Sequence, residues 1–328
     1  MPLYAGARYG AGFQSIVRYE AQTEQLCPPT WITDPVAPVC TGIAGPASVP
    51  GWDLNENMRA VEGAGSGRDL AQVPGRRECT VSLRLDVADA TFLTGAFRSH
   101  AVPLPGTPGT GWINGLRLMA LQFGIGSQYS EAWSEVGVDA LWNSLRFEVA
   151  ENQNMTADGE LWPMAFVTGA PATSAPPASP VPIIWQTVQL LNDSTDLKPI
   201  LAGITFSLNN NLERVGSRAL MPIAGIPARE QAISRIPFAI RPRLEKLTVQ
   251  YRLHDVPPNS LLTTFNMGLF RIYGEEPGIG ARRNCVTVDI TNNHMGRVRG
   301  QQVTANNILT YETEHAAYAV TCLPGVTA

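Results

Sequence analysis

Four histidines, His100, His254, His294 and His315, are the side chains best suited to hold a metal or move a proton near neutral pH. They stand far apart, and none sits in H-E-x-x-H or a similar zinc spacing. The five cysteines, Cys27, Cys40, Cys79, Cys285 and Cys322, form no C-x-x-C pair and no His-flanked cluster. Free thiols are one reading of them, and a Cys27–Cys40 bridge closing a Pro-rich loop is the other. The segment GAGSG at 63–67 has the glycine content of a phosphate cradle, but no Lys-Ser/Thr follows and no strand-to-helix dinucleotide context surrounds it. Glu275-Glu276 and the Glu312/Glu314 pair are neighbouring carboxylates such as a glycosidase or an oxygen-ligand metal site uses, but exposed loop charge is the stronger reading of them. There is no G-x-S-x-G elbow, and the sequons at Asn154 and Asn192 are patterns that arise by chance. These spacings lead to an expectation of no catalytic nucleophile, no metal and no cofactor.

Composition narrows the class further. At 328 residues with 44% hydrophobic content, the chain can bury a large core and has room for two ordinary domains. Only 16% of residues are charged, against roughly 25% in an average soluble domain, so Ser, Thr, Asn and Gln must supply much of the polar surface. Such a surface suits a protein that is covered by neighbours. The net charge of -4 argues against an ordinary nucleic-acid binder, and the basic spots Arg76-Arg77, Arg241/Arg243 and Arg282-Arg283 are small. The N-terminal MPLYAGARYGAGFQ lacks the basic segment and apolar run of a signal peptide, so cytoplasmic synthesis is expected. The seven tryptophans, Trp52, Trp112, Trp142 and Trp185 among them, are spread along the chain and read as core or interface residues.

The elements that must position these residues are mostly strands. Cys79, Val81, Leu83, Leu85 and Val87 alternate with polar residues, as do Leu145, Phe147 and Val149. The second half repeats the pattern at Ile204, Phe206 and Leu208, at Leu247, Val249, Tyr251 and Leu253, and at Val286, Val288 and Ile290. Antiparallel sheets with one buried face follow. One short helix per half is expected. Asp89 caps a candidate whose Phe92, Leu93, Ala96 and Phe97 share a face, and a second starts at Ser130, with Trp133, Val136, Ala140 and Leu141 at helical spacing. The uncharged stretch 161–192 carries six prolines that would leave backbone groups unpaired in lipid, and its Pro/Ala/Ser-rich centre, 168–182, reads as an extended linker. The expected organisation is a domain at 1–165, a linker at 166–184 and a domain at 185–328.

The two halves also match each other. DLNENMRAV at 53–61 aligns with SLNNNLERV at 207–215, keeping Leu54/Leu208, Asn55/Asn209 and Asn57/Asn211 at a constant separation of 154 positions (54 to 208). Gly-Ser-Arg residues follow in both copies, then PGRRE at 74–78 and PARE at 227–230, each before a β-like segment, 79–87 or 231–240. Asparagine at a strand end tolerates left-handed backbone and caps nearby N–H groups, so these residues are expected to shape the loops after each strand. Duplication of one supersecondary unit is the inference.

This order of strand, L-N-x-N-[ML], Gly-Ser-Arg loop, Pro-x-Arg-Glu and alternating strand resembles the major tail tube proteins of long-tailed, non-contractile phages, in particular their duplicated-domain members. The resemblance implies a mainly β fold of two tandem related β-sandwich domains, each with a short flanking helix. Leu54, Asn55, Asn57, Leu208, Asn209 and Asn211 would then be architectural. It further implies homotrimeric rings with sixfold appearance, stacked into a helical tube in the virion tail. The partners would be the tape-measure protein and DNA in the lumen, and the tail terminator and distal tail proteins at the ends. The loop 23–50 is the candidate for ring-to-ring contacts. The alternatives are another virion component, such as a capsid decoration or baseplate protein, and a two-domain β-sandwich carbohydrate-binding module. An enzyme is a third possibility.

Overall fold

Strict alternation becomes alternating burial. In a computed structural model of the chain, Glu78–Asp86 is a strand in which Cys79, Val81, Leu83 and Leu85 are buried while Ser82 and Arg84 face solvent. The structure describes residues 15–24, 37–42, 47–55, 59–62, 69–73, 78–87, 90–97, 111–113, 115–125, 133–170, 182–192, 194–213, 238–239, 244–252, 270–274, 286–291, 294–300, 310–317 and 319–324.

The first half contributes β1 (Ser15–Ala21), β2 (Ala47–Asn55), β3 (Arg59–Glu62), β4 (Asp69–Val73), β5 (Glu78–Asp86), helix α1 (Ala90–Thr94), β6 (Trp112–Ile113), β7 (Leu116–Arg117), β8 (Met119–Ile125), β9 (Trp133–Ala150), β10 (Thr156–Trp162) and β11 (Ala165–Thr168). The second contributes β12 (Val188–Asn192), β13 (Thr195–Asp196), β14 (Leu201–Asn209), β15 (Leu212–Glu213), β16 (Phe238–Ala239), β17 (Leu244–Arg252), β18 (Phe270–Gly274), β19 (Val286–Thr291), β20 (His294–Gly300), β21 (Thr310–Ala317) and β22 (Ala319–Pro324). The fold is mainly β, with antiparallel pairing throughout and very little helix.

Pairing in the first half runs β2-β5-β10-β9 in one layer, while β8 bridges β1 and the early part of β9 and β11 flanks that same part of β9. The second half has the same map. There the order is β14-β17-β21-β20 in one layer and β12-β18-β19-β22 in the other. The single strand β9 stands where β19 and β20 stand in the second half. β9 also pairs with β14, from Gly203 opposite Ala150 to Asn209 opposite Ser144, so one eight-strand path crosses both halves.

β9 crosses from one layer to the other at Asp139, which has φ of 52°. A left-handed residue interrupts the pleat, and aspartate is one of the few side chains that tolerate it. Gln22 holds the corner: its Nε2 donates to Asp139 Oδ1 at 2.8 Å, and the Asp139 N–H donates to Gln22 Oε1 at 2.8 Å. The expected helix at Ser130 is therefore corrected, since Trp133–Ala150 is one 18-residue strand. Val136 to Trp142 are buried without alternation because both faces of the strand are covered at this crossing, which imitates helical spacing.

The helix near Asp89 does form, as α1, and Phe92, Leu93, Ala96 and Phe97 are buried against the main core. Asp89 lies outside the described residues. Among the described residues of the second half only two 3-10 turns occur, Trp185–Thr187 and Lys198–Ile200, so no matching helix is found there. Ordered structure also reaches into both ends of the span expected to be linker. Ala165–Thr168 pairs with β9, and Ile183 is buried, its N–H donating to the Val87 carbonyl at 2.8 Å. Residues 171–181 lie outside the described ones. The loop expected at 23–50 likewise ends early, because Ala47–Pro50 already belongs to β2.

Candidate assembly interface

The eight-strand path has two unlike faces. One is apolar: Val81, Leu83, Phe147, Val149, Phe206 and Leu208 are all buried in a core that draws on both halves. The other carries a polar row that runs from β5 to β20. Asp86 stands opposite Thr156, which stands opposite Glu148, and the row continues through Thr205, Thr248 and Glu314 to Arg297. In the backbone register Arg84 falls opposite Asp158, Arg299 opposite Glu312 and Arg297 opposite Glu314. Within β9, Arg146 Nη2 donates to Glu148 Oε2 at 2.6 Å on the exposed surface.

The Asn-rich segment closes the junction between the halves. Asn209 ends β14, and its Oδ1 accepts from the Asn211 N–H at 2.8 Å, while Asn211 takes φ of 49°. These are the roles expected of Asn209 and Asn211. The residue between them does more. Asn210 is fully buried, its Nδ2 donates to the carbonyls of Ala96 (3.0 Å) and Trp142 (2.8 Å), and its N–H donates to the Asn143 carbonyl at 2.7 Å. Asn143 Oδ1 in turn accepts from the Leu212 N–H at 3.2 Å. Asn210 thus pins the end of β14 to β9 and to the segment after α1. It escaped the sequence comparison because its counterpart is Glu56, so the position does not match between copies. The middle place in an Asn triplet at a strand end was the available signal.

Asn55 ends β2 as Asn209 ends β14, and both strands have nine residues. Asn57 lies outside the described residues. Leu208 and Phe206 are buried at 3% and 0% exposure, but their counterparts Leu54 and Trp52 are 41% and 48% exposed. Trp52 rests on Phe123 and Phe166, with ring centroids 6.0 and 5.9 Å away, and leaves half its surface open. The difference follows from neighbours. β14 lies between β9 and β17, whereas β2 has β5 alone on the path.

The register also corrects one part of the repeat alignment. The strand that pairs with β14 as β5 pairs with β2 is β17 at Leu244–Arg252, where 231–240 was expected. In that span Phe238–Ala239 pairs with Leu212–Glu213, in the place that β4 takes beside β3. A longer excursion between β15 and β16 shifts the register, and short motif matching cannot follow such a gap.

Burial shifts several titratable groups among the described residues. His315 and Thr313 are buried on β21 with Nε2 and Oγ1 2.9 Å apart, and burial pushes the His315 pKa down to about 4. Cys40 is a free, buried thiol whose pKa is pushed up to about 12 by burial and then by Glu20. Cys79 is buried as well, with its Sγ 3.9 Å from the Met164 carbonyl oxygen, and Cys27 lies outside the described residues. Lys198 lies over the Trp185 ring and donates to the Val188 carbonyl at 2.6 Å and to the Trp185 carbonyl. Burial lowers its pKa. Glu312 and Glu314 lie on the polar face, while His100, His254 and Glu275-Glu276 are outside the described residues. Among the described residues no group of three or more His, Cys, Asp or Glu could hold a metal, and no helix is long and apolar enough to cross a membrane.

No protein-family model matches the chain, and no curated protein matches it. Among solved structures, a chain of "Virion of native gene transfer agent (GTA) particle" is similar at 11% identity and a TM-score of 0.27, over 42% of this chain and 96% of that one. A score that low fixes neither fold nor role.

Proposed function

We propose that this protein is a structural component of a virion, the subunit of a phage-type tail tube, and that its function is its geometry and not a reaction. One observation carries the reading: the pairing map of the first half recurs in the second, and the halves are joined by the β9·β14 pair into one sheet path with a polar face and an apolar one. Two tandem sandwich units explain that recurrence. Joined head to tail, the junction between β9 and β14 can be repeated between chains, and a heterologous contact of that kind closes a ring if the rotation allows. Three chains would supply six such units around a lumen, with the polar face of the path turned inward.

That face suits a conduit. Asp158 stands between Arg84 and Arg146, which partly offsets the basic charge that would displace counterions and grip DNA, while Lys246 stands opposite Ser207 and Ala316. Tape-measure protein and DNA inside the lumen, and terminator and distal tail proteins at the tube ends, belong to the same reading.

Electron microscopy of the purified protein, with the mass of an isolated ring, tests it. Rings or tubes with three chains per ring are expected. Six chains per ring, closed shells, or single particles at every concentration would overturn it.

A further inference from the structure

The β9·β14 joint within the chain offers a template for a joint between chains. Across β9·β14, Leu208 stands opposite Leu145, Phe206 opposite Phe147 and Ser207 opposite Arg146. The counterparts of these β14 residues on β2 are Leu54, Trp52 and Asp53. The counterparts of the β9 residues follow from the strands beside them. Gly159 on β10 is opposite Leu145, and the matching Thr313 on β21 is opposite Val298; in the same way Arg146 corresponds to Arg299 and Phe147 to Gly300. β2 and β20 are the two ends of the eight-strand path.

We infer that β2 of one chain pairs antiparallel with β20 of a second copy, with Leu54 opposite Val298, Asp53 opposite Arg299 and Trp52 opposite Gly300. This inference rests on the tube reading and adds the partner strand and its register. Three features of the positions fit it. Leu54 and Trp52 keep 41% and 48% of their surface exposed, where the same positions on β14 are covered by β9. This register sets Asp53 directly across from Arg299, and opposite charges placed directly across a strand pair stabilise it. The bulkiest side chain of the edge, Trp52, falls opposite a glycine. Pro50 has no N–H for a ladder, a restriction tolerated on an outer strand, so the new pairing begins beyond it and runs from Trp52 to Asn55. A slip of one residue would turn Leu54 and Trp52 onto the polar face, which is why the register is defined.

The test is site-directed cross-linking of full-length chains during assembly. Leu54→Cys with Val298→Cys, treated with a short thiol-bridging reagent, should give a ladder of covalent multimers that neither single variant nor the unsubstituted protein gives. Leu54→Cys with Arg297→Cys, one residue out of register, should not. Hydrogen exchange on the unsubstituted protein guards against variants that fail to fold: the amides of 52–55 and 297–300 should gain protection on assembly. Rings that form without the Leu54/Val298 ladder, a ladder in the slipped pair instead, or edge amides unchanged on assembly would overturn the register while leaving the tube reading in place. A protein that never assembles would sink both.

Discussion

The rings of Phe147 and Phe206 stack 5.1 Å apart across the strand pair that joins the two halves of the chain, and both side chains are fully buried. Phe97 extends the stack, 5.8 Å from Phe206. Phe206→Ala should lower unfolding free energy by about 3–5 kcal/mol, the usual cost of emptying a buried phenylalanine site. Urea denaturation measures it. Thr205→Ala, one residue away on the polar face, should change stability by no more than about 0.5 kcal/mol.

Asn210→Ala should be destabilising by about 1–3 kcal/mol, because the Ala96 and Trp142 carbonyls would lose their donor away from water. Asn210→Asp should be worse, since it turns a carboxylate toward two carbonyl oxygens. Thermal unfolding of the two variants decides this, and a neutral Asn210→Asp would contradict the role.

At the corner of β9 the backbone constraint and the side-chain bond can be separated. Asp139→Asn keeps tolerance of positive φ, whereas Asp139→Val loses both that tolerance and the bond to Gln22. Valine should cost at least about 1–2 kcal/mol more than asparagine, from the left-handed penalty alone. Chemical denaturation gives the difference, and equal stabilities would mean that the corner relaxes.

Burial holds His315 neutral, with its pKa moved from 6.5 to about 4. The unfolded chain therefore binds the proton more readily, and the stability linked to this group is complete above about pH 6.5 and is lost as pH falls toward 4. The loss attributable to it is about 3 kcal/mol. Carboxylates contribute their own acid dependence, so unfolding of the unsubstituted protein and of His315→Leu should be compared at pH 7, 5.5 and 4. The unsubstituted protein should lose stability more steeply than His315→Leu as pH falls. Parallel curves would contradict the assignment.

Cys40 should resist alkylation in the folded protein, because the thiolate is the nucleophile and its pKa is pushed up to about 12. Labelling at pH 8 followed by peptide mass mapping should find Cys40 modified only after unfolding. Rapid labelling of the native protein would show that the site opens.

Much of the fold was legible from the residue order. Alternation at 79–87, 145–149 and 204–208 reports local physics, since a strand with one covered face needs an apolar side chain at every second position. The same holds for the strand ends at Asn55 and Asn209, and for the turn chemistry of Asn211, which depends on its own side chain and backbone. Position 133–142 misled for an equally physical reason: a strand covered on both faces has no period, and its apolar residues fell at helical spacing. The pairing of β9 with β14, the place of Asn210 beneath it and the exposure of Trp52 and Leu54 depend on which strands become neighbours. That choice is made by contacts between residues far apart in the chain, and no local pattern encodes it. Two copies of one motif were readable in the sequence. That the first is bonded edge to edge with the second, leaving β2 and β20 at the ends of a shared path, was decided only when the chain folded.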